Sequence, residues 1–260
     1  MKNNKSWESI FSAYDILNHN FNVKPFKITA DEIKNATRHF GKTSEKEVRI
    51  LCKQDSRNER PKIFIDNDLF LLPVKNGEYI ILKGDGYIDI SPINDMEEIY
   101  VSKLDFELRS SQIGNSEMQY LDFAYASSLI RTFAEDNTLV LTIRGRKYTP
   151  EFNFNFKQYK DIHVQSVQTE VDAGFEGKEQ IVLIEAKNST TQNTIIRQLY
   201  YPFRQWKIHT QKEVKTLFFE KRGREYFMWE FGFADEFDYE SIFLKKQKNL
   251  SYKIDNMPSC

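Results

Sequence analysis

Cysteine is nearly absent from this chain. Cys52 and Cys260 are the two in 260 residues, too few and too far apart for a disulfide framework or a zinc site. Histidine is scarce as well: His19, His39, His163 and His209 are scattered without metal-ligand spacing, and ordinary polar or capping roles suit each. No apolar run is long enough to cross a membrane and the N-terminus has no signal-peptide features, so a reducing cytoplasm is the expected setting. Neither charge is in excess. With 37 Lys and Arg against 38 Asp and Glu, the formal charge is -1, which does not advertise a nucleic-acid binder. It does not exclude one, because local basic patches can carry phosphate contacts and a metal centre needs acids. Repeats and low-complexity blocks are missing too. What is abundant is aromatic: 21 Phe and 13 Tyr supply a substantial core for one large domain or two small ones.

Two capping-box patterns, Thr29-Ala30-Asp31-Glu32 and Ser44-Glu45-Lys46-Glu47, predict short helices after a polar, aromatic start carrying Trp7, Phe11, Tyr14 and Phe21. Strand-like runs follow at Ile63–Val74 and Glu78–Lys83, joined by Asn76-Gly77, a tight-turn signal. Helices followed by a β-hairpin suit a DNA-reading winged helix or a small α+β lobe that only buttresses the core. Arg57, Arg60 and Lys62 just before this hairpin are either phosphate contacts or an exposed basic turn. Residues 84–115 are rich in turn formers and connect this lobe to the rest. A helix is expected from Ser116 to Glu135, then strands at Thr138–Arg144, Pro150–Phe156 and His163–Asp172. Arg144, Arg146 and Lys147 are expected on a turn, either entering a DNA groove or forming a solvated hairpin tip. Later strands are expected at Val214–Glu220 and Glu225–Phe233, with Lys245 to Lys248 as a solvated basic tail.

The chain is organised around residues 168–187. Alternation along a strand puts Glu170 and Asp172 on one face. After a Gly-containing turn, Ile181 to Lys187 reads as a buried strand that turns polar at its end, with Glu185 and Lys187 on one side and Ala186 on the other. A hairpin then sets Asp172 beside Glu185. An acid and a lysine at the end of a buried strand are costly unless a cation or substrate compensates them. Two carboxylates suit Mg²⁺, which prefers hard oxygen ligands, keeps several waters and takes substrate phosphates. Such an ion polarises phosphate and acidifies bound water, while Lys187 orients that water or offsets charge on the phosphorane. The bland alternative is a solvated strand end. Against it stands the next segment: capping residues 188–191 lead into a helix from Gln192 to about Ile208. That helix carries Arg197, Gln198, Tyr201, Arg204 and Gln205 at helical spacing, and Pro202 is expected to kink or end it.

Asp172 followed by Glu185-Ala186-Lys187 resembles the PD-(D/E)XK nuclease motif, with Val171 in place of the proline. The order helix, antiparallel strands, helix, strand resembles the αβββαβ core of that superfamily. Within it, Arg57-x-x-Arg60-Pro61-Lys62, Leu72-Pro73-Val74, Ile143-Arg144-Gly145-Arg146 and Ile196-Arg197-Gln198 look like bacterial type II restriction endonucleases. The resemblance covers roughly residues 30–230. It implies an α/β (α+β) fold, with a mixed sheet flanked by helices as catalytic domain over residues 111–260. A helical and β-hairpin lobe over residues 1–110 precedes it, with winged-helix DNA recognition as one option. It also implies Mg²⁺-dependent cleavage of double-stranded DNA at a short specific site, with a cognate DNA methyltransferase as genetic partner. Cutting both strands within one site implies a homodimer, at least on DNA.

By residue, the resemblance assigns Asp172, Glu185, Lys187 and Gln198 to catalysis, and Asp172, Glu185 and Ala186 to the metal. Glu117, on the preceding helix, either completes the acidic shell through water or is a first-turn charge favoured by the helix dipole. Arg197 and Arg204 join Arg57, Arg60, Lys62, Arg144, Arg146 and Lys147 as candidate DNA contacts. The competing functions are a repair or non-specific defence nuclease of the same fold, and a catalytically inactive DNA-binding regulator.

Overall fold

A computed structural model describes residues 3–94, 96–104, 106–110 and 113–253. Cys260 lies outside the described residues. Starting from the N-terminus, helices α1 (Asn4–Ala13), α2 (Ala30–Thr37), α3 (Thr43–Lys46), α4 (Val48–Leu51) and α5 (Lys62–Asp66) surround a three-stranded sheet. That sheet has β3 (Glu78–Lys83) between β1 (Phe26–Thr29) and β2 (Leu69–Lys75). The Thr29 box forms as expected: Glu32 N–H donates to Thr29 Oγ1 at 3.2 Å and Thr29 N–H to Glu32 Oε2 at 2.7 Å. The second box does not. α3 starts at Thr43, two residues before the Glu45 start that a Ser44 cap would set, and its cap Lys42 makes no side-chain bond.

Residues 63–66, expected as strand, are helical. Tertiary packing overrides their β-propensity, since Phe64 is fully buried with its ring 4.7 Å from that of Trp7. The β2–β3 turn follows the Asn-Gly signal, with Gly77 at φ +78°.

The larger part of the molecule is a mixed α+β fold built on a seven-stranded sheet of order β5-β14-β13-β12-β10-β9-β6. Its strands are β5 (Glu98–Val101), β6 (Val140–Tyr148), β9 (Gln168–Glu176), β10 (Gln180–Lys187), β12 (Glu213–Arg222), β13 (Glu225–Phe233) and β14 (Ile242–Lys253). The β10–β12 and β14–β5 pairs are parallel and the others antiparallel. On one face pack α6 (Glu117–Ala126) and α7 (Leu129–Ala134), burying Leu121, Phe123 and Phe133 with Val182, Ile184 and Ala186. On the other lies α8 (Arg197–His209), where Tyr200 and Tyr201 meet Ile181 and Leu183. A separate hairpin, β7 (Phe152–Phe156) with β8 (Tyr159–Val164), adds Phe152, Phe154 and Phe156 to that second core.

Several boundaries differ from the sequence reading for local reasons. The helix expected over 116–135 breaks at Ser128, which takes a left-handed conformation at φ +66°. The strand expected over 163–172 is interrupted at Ser166, at φ +53°. The start of the expected 192–208 helix is instead strand β11 (Asn193–Ile195), paired with β4 (Tyr87–Asp89). Both β4 and β5 lie before residue 110 and pair with strands far beyond it. Pro202 does not end α8; it removes the N–H that would have bonded the carbonyl of Gln198 while the helix continues to His209. The basic run Lys245–Lys248 is no tail but part of β14, where Lys246 pairs with Glu135 and Lys248 with Glu98. No helix among the described residues is long and apolar enough to cross a membrane.

A candidate acid–lysine centre at the end of β10

β10 alternates cleanly. Its even residues from Val182 to Ala186 enter the α6–α7 core, so Glu185 and Lys187 share the α8 side with Leu183. β9 does not alternate cleanly. Between the pairs Ile143–Gly174 and Gly145–Val171, β6 advances two residues and β9 three, which is a β-bulge at Asp172. The β9–β10 ladder likewise ends at the Ala173–Ile184 pair. Instead of continuing it, Asp172 uses its side chain: Ala186 N–H donates to Asp172 Oδ2 at 2.8 Å. Gly174 makes the kink possible, because a Cβ there would lie 2.7 Å from the Cβ of Ile143.

Glu185 is 92 % shielded, with only 8 % of its surface exposed, and it is held from two sides. Lys187 Nζ pairs with its Oε1, and Gln198 Nε2 donates to the same oxygen at 2.8 Å. Gln198 is oriented in turn by Thr194, whose Oγ1 hydroxyl donates to Gln198 Oε1 at 2.6 Å. That bond fixes which end of the amide faces Glu185. Burial pushes Glu185 up to about 7, reinforced by Asp172 and by Asp55 of the N-terminal lobe and opposed by Lys187. Asp172 is also raised, chiefly by burial, with Ala186 N–H and Lys187 opposing. Burial alone would lower Lys187, but Glu185, Asp172 and Glu117 outweigh it and hold the ammonium above its ordinary range.

Glu117 is the first residue of α6, capped by Ser116, and its Oε1 accepts from Asn188 N–H at 3.3 Å. It therefore tethers the loop after β10 and stands within electrostatic reach of Asp172 and Lys187. Among the described residues, no three His, Cys, Asp or Glu side chains gather as metal ligands. The carboxylates at this centre that could hold an ion are Asp172 and Glu185. A pair fits Mg²⁺, which takes one or two protein carboxylates and completes its shell with water and phosphate. Ala186 contributes its amide to Asp172, and its side chain is buried in the opposite core.

Three residues at the centre carried no sequence signal. Thr194 belongs to a polar stretch with many equivalent hydroxyls. Asp55 approaches from another lobe. Glu220 is completely buried, registers beside Lys187 on β12, pairs with Arg222, and accepts Thr191 N–H at 2.8 Å. Glu170 stays exposed and pairs with Arg146 at 3.4 Å.

The expected DNA contacts are distributed differently. Arg57 pairs with Asp85 at 2.7 Å and with Asp89. Arg60 is buried over the Tyr87 ring and donates to Leu69 O at 3.1 Å. Lys62 is exposed beside Asp66 at 2.7 Å. Arg144, Arg146 and Lys147 lie within edge strand β6, not on a turn, and Arg144 pairs with Asp122. Arg197 faces Asp55 at 3.8 Å. Arg204 is buried, donating to Asn153 O at 3.0 Å, Tyr200 Oη at 3.1 Å and Glu236 O at 2.6 Å. It ties loops together and has no free face for a phosphate. Tyr201, on the same helix as Gln198, points away from the centre and donates to Pro73 O at 2.9 Å in the N-terminal lobe.

Residues 82–251 match the family model described as Domain of unknown function (DUF6997). The chain belongs to that family. Residues 4–81 match a second model, Domain of unknown function (DUF6996). The seam between the two matches falls inside β3, while every residue of the acid–lysine centre except Asp55 lies in the DUF6997 segment. No curated protein and no solved structure matches the chain.

Proposed function

We propose that this protein is a Mg²⁺-dependent deoxyribonuclease of the PD-(D/E)XK superfamily, acting as a type II restriction endonuclease on double-stranded DNA. The observation that carries the reading is the convergence on one buried carboxylate. Glu185 is gripped by Lys187 and Gln198 while Asp172 is pinned to the adjoining amide. Chain order supports it too. Within the large sheet, α6–α7, β6, β9, β10, α8 and β12 follow the αβββαβ sequence of that superfamily, with the β7–β8 hairpin inserted.

Asp172 and Glu185 would hold the ion. When bound, Mg²⁺ supplies polarisation of the scissile phosphate and acidification of a water. Lys187, held cationic by three carboxylates, orients the attacking water and offsets negative charge growing on the phosphate oxygens. Gln198 keeps Glu185 in one rotamer, and Thr194 keeps Gln198 from flipping. Glu117 and Glu220 fix the two ends of the loop 188–191 that follows Lys187. Cleavage of both strands at one site calls for two such centres, hence a homodimer on DNA, and self-protection calls for a methyltransferase acting on the same site.

Incubating the protein with plasmid and Mg²⁺ is expected to give discrete fragments. Asp172→Asn, Glu185→Gln and Lys187→Ala should each abolish them while leaving DNA binding measurable. One observation favours a second reading, a defence or repair nuclease without sequence preference: Arg57, Arg60, Arg144 and Arg204 are all engaged inside the protein, leaving fewer arginines for bidentate guanine readout. A smear instead of a ladder would choose that reading. Intact plasmid at every Mg²⁺ concentration would remove both.

A further inference from the structure

Arg57, Arg60 and Lys62 were the candidate phosphate contacts of the N-terminal lobe; Arg57 pairs with Asp85 and Asp89, Arg60 is buried over Tyr87, and Lys62, though exposed, pairs with Asp66. The unpaired cations lie elsewhere. Between the β1–β3 side of the N-terminal sheet and the β7–β8 hairpin runs a cleft of about 580 Å³. Four exposed lysines line it: Lys24, Lys27, Lys75 and Lys160, against two acids, Glu78 and Asp161. Lys75 faces Glu78 at 3.5 Å, whereas Lys24, Lys27 and Lys160 form no ion pair with any described residue. In a chain of formal charge -1, this is a local cationic groove.

Its walls are fixed at both ends. Gln165 N–H donates to Val74 O at 2.9 Å at one end. At the other, Tyr159 Oη donates to Phe21 O at 2.5 Å and Gln158 Nε2 to the same carbonyl at 3.2 Å. Ile80 and Ile162 close the floor. The polar side chains best suited to reading base edges are occupied, Gln158 on Phe21 O and Gln165 on Glu151, and no arginine lines the cleft. Lysines without arginines or free amides suit phosphates as point charges and carry no sequence information.

We propose that this cleft binds the sugar–phosphate backbone of DNA, and that it positions the nucleic acid without reading its sequence. The proposal rests on the nuclease reading for the identity of the polyanion, but the acid–lysine centre contributes nothing to the cleft, so the two can fail separately.

The test is binding of a short fluorescent duplex, by anisotropy in chelator, across a salt series and with two unrelated duplex sequences. Lys27→Glu/Lys160→Glu should weaken both duplexes alike, by at least ~10-fold at low salt, and flatten the slope of log K against log salt by about two. Lys34→Glu, an equally exposed charge reversal outside the cleft, is the control and should leave the slope unchanged. Circular dichroism and thermal melting establish that the surface variants fold. Wild-type binding and slope in the double variant would overturn the proposal, as would an equal loss in Lys34→Glu. A poly-glutamate peptide competing as well as DNA would also overturn it, in favour of an acidic protein ligand. If wild type cuts plasmid while the double variant binds DNA normally, the cleft proposal alone falls. If binding depends on the cleft but Mg²⁺ never elicits cleavage, the nuclease reading alone falls.

Discussion

Glu185 is where burial and charge conflict most directly. Its carboxyl moves from an ordinary 4.5 to about 7 because burial penalises the anion more than Lys187 favours it. Between those two pH values the folded protein holds a proton that the unfolded chain has released. Stability from this group is therefore complete below pH 4.5 and lost as pH rises through 7, an effect of about 3 kcal/mol at most. Metal-free wild type should be less stable at pH 8 than at pH 5 by urea denaturation, and Glu185→Gln should flatten that dependence; an unchanged slope would assign it to another group. Mg²⁺ should raise the melting temperature more at pH 8 than at pH 5.5, since the ion competes with that proton. Thr194 is testable at the same scale. Thr194→Val removes the hydroxyl that orients Gln198, and kcat for plasmid cleavage should drop by about 10-fold with KM little changed, a loss of about 1.4 kcal/mol. Thr194→Ser keeps the donor and should restore kcat; equal losses in both would mean a packing role.

At the scale of elements, the bulge in β9 is the feature that makes the centre. A regular strand would continue the ladder past Ala173, and Ala186 N–H would have bonded a backbone carbonyl in place of Asp172. The bulge depends on Gly174, which lies against Ile143. Gly174→Ala puts a methyl 2.7 Å from a Cβ that cannot swing away, and should cost about 1–3 kcal/mol in urea denaturation. Because the strain falls two residues from Asp172, cleavage should decline more than stability alone explains. The same scale shows how much of the fold was legible. The apolar run of β10 turning polar at Glu185 and Lys187, the β2–β3 turn and the Thr29 box are local patterns, and each reappears in the structure. The helical turn at 62–66 and the strand at 193–195 were not legible, since Phe64 docks on Trp7 and β11 pairs with a strand more than a hundred residues earlier.

Across the whole molecule, the N-terminal lobe is stapled to the segment just before α8. Arg57 N–H donates to Asn193 Oδ1 at 2.7 Å, Ile195 N–H donates to Asp55 O at 2.9 Å, and the Arg57 guanidinium bridges Asp85 and Asp89. The two residues bonded to the lobe flank Thr194, so the lobe reaches the acid–lysine centre through β11. Arg57→Ala leaves those carboxylates without their cation and should lower stability by about 1 kcal/mol, the ion pairs being partly solvated. It should leave the salt slope of DNA binding unchanged. A slope that fell with this variant would return Arg57 to the phosphate-contacting role its sequence context suggested.

The sequence by itself determined the local patterns. A buried strand ending in Glu185 and Lys187, a preceding acid, and a helix carrying Gln198 are consequences of side-chain periodicity, which needs no knowledge of distant residues. Tertiary structure alone decided which polar groups are free. Arg57, Arg60, Arg144 and Arg204 look available in the sequence, yet each meets an acid or carbonyl brought in from elsewhere in the fold. Lys24, Lys27 and Lys160 attract no notice in the sequence and meet no counter-ion among the described residues. The physical reason is range: periodicity acts over a few residues, whereas ion pairing and desolvation depend on partners that only the folded chain brings within a few ångströms.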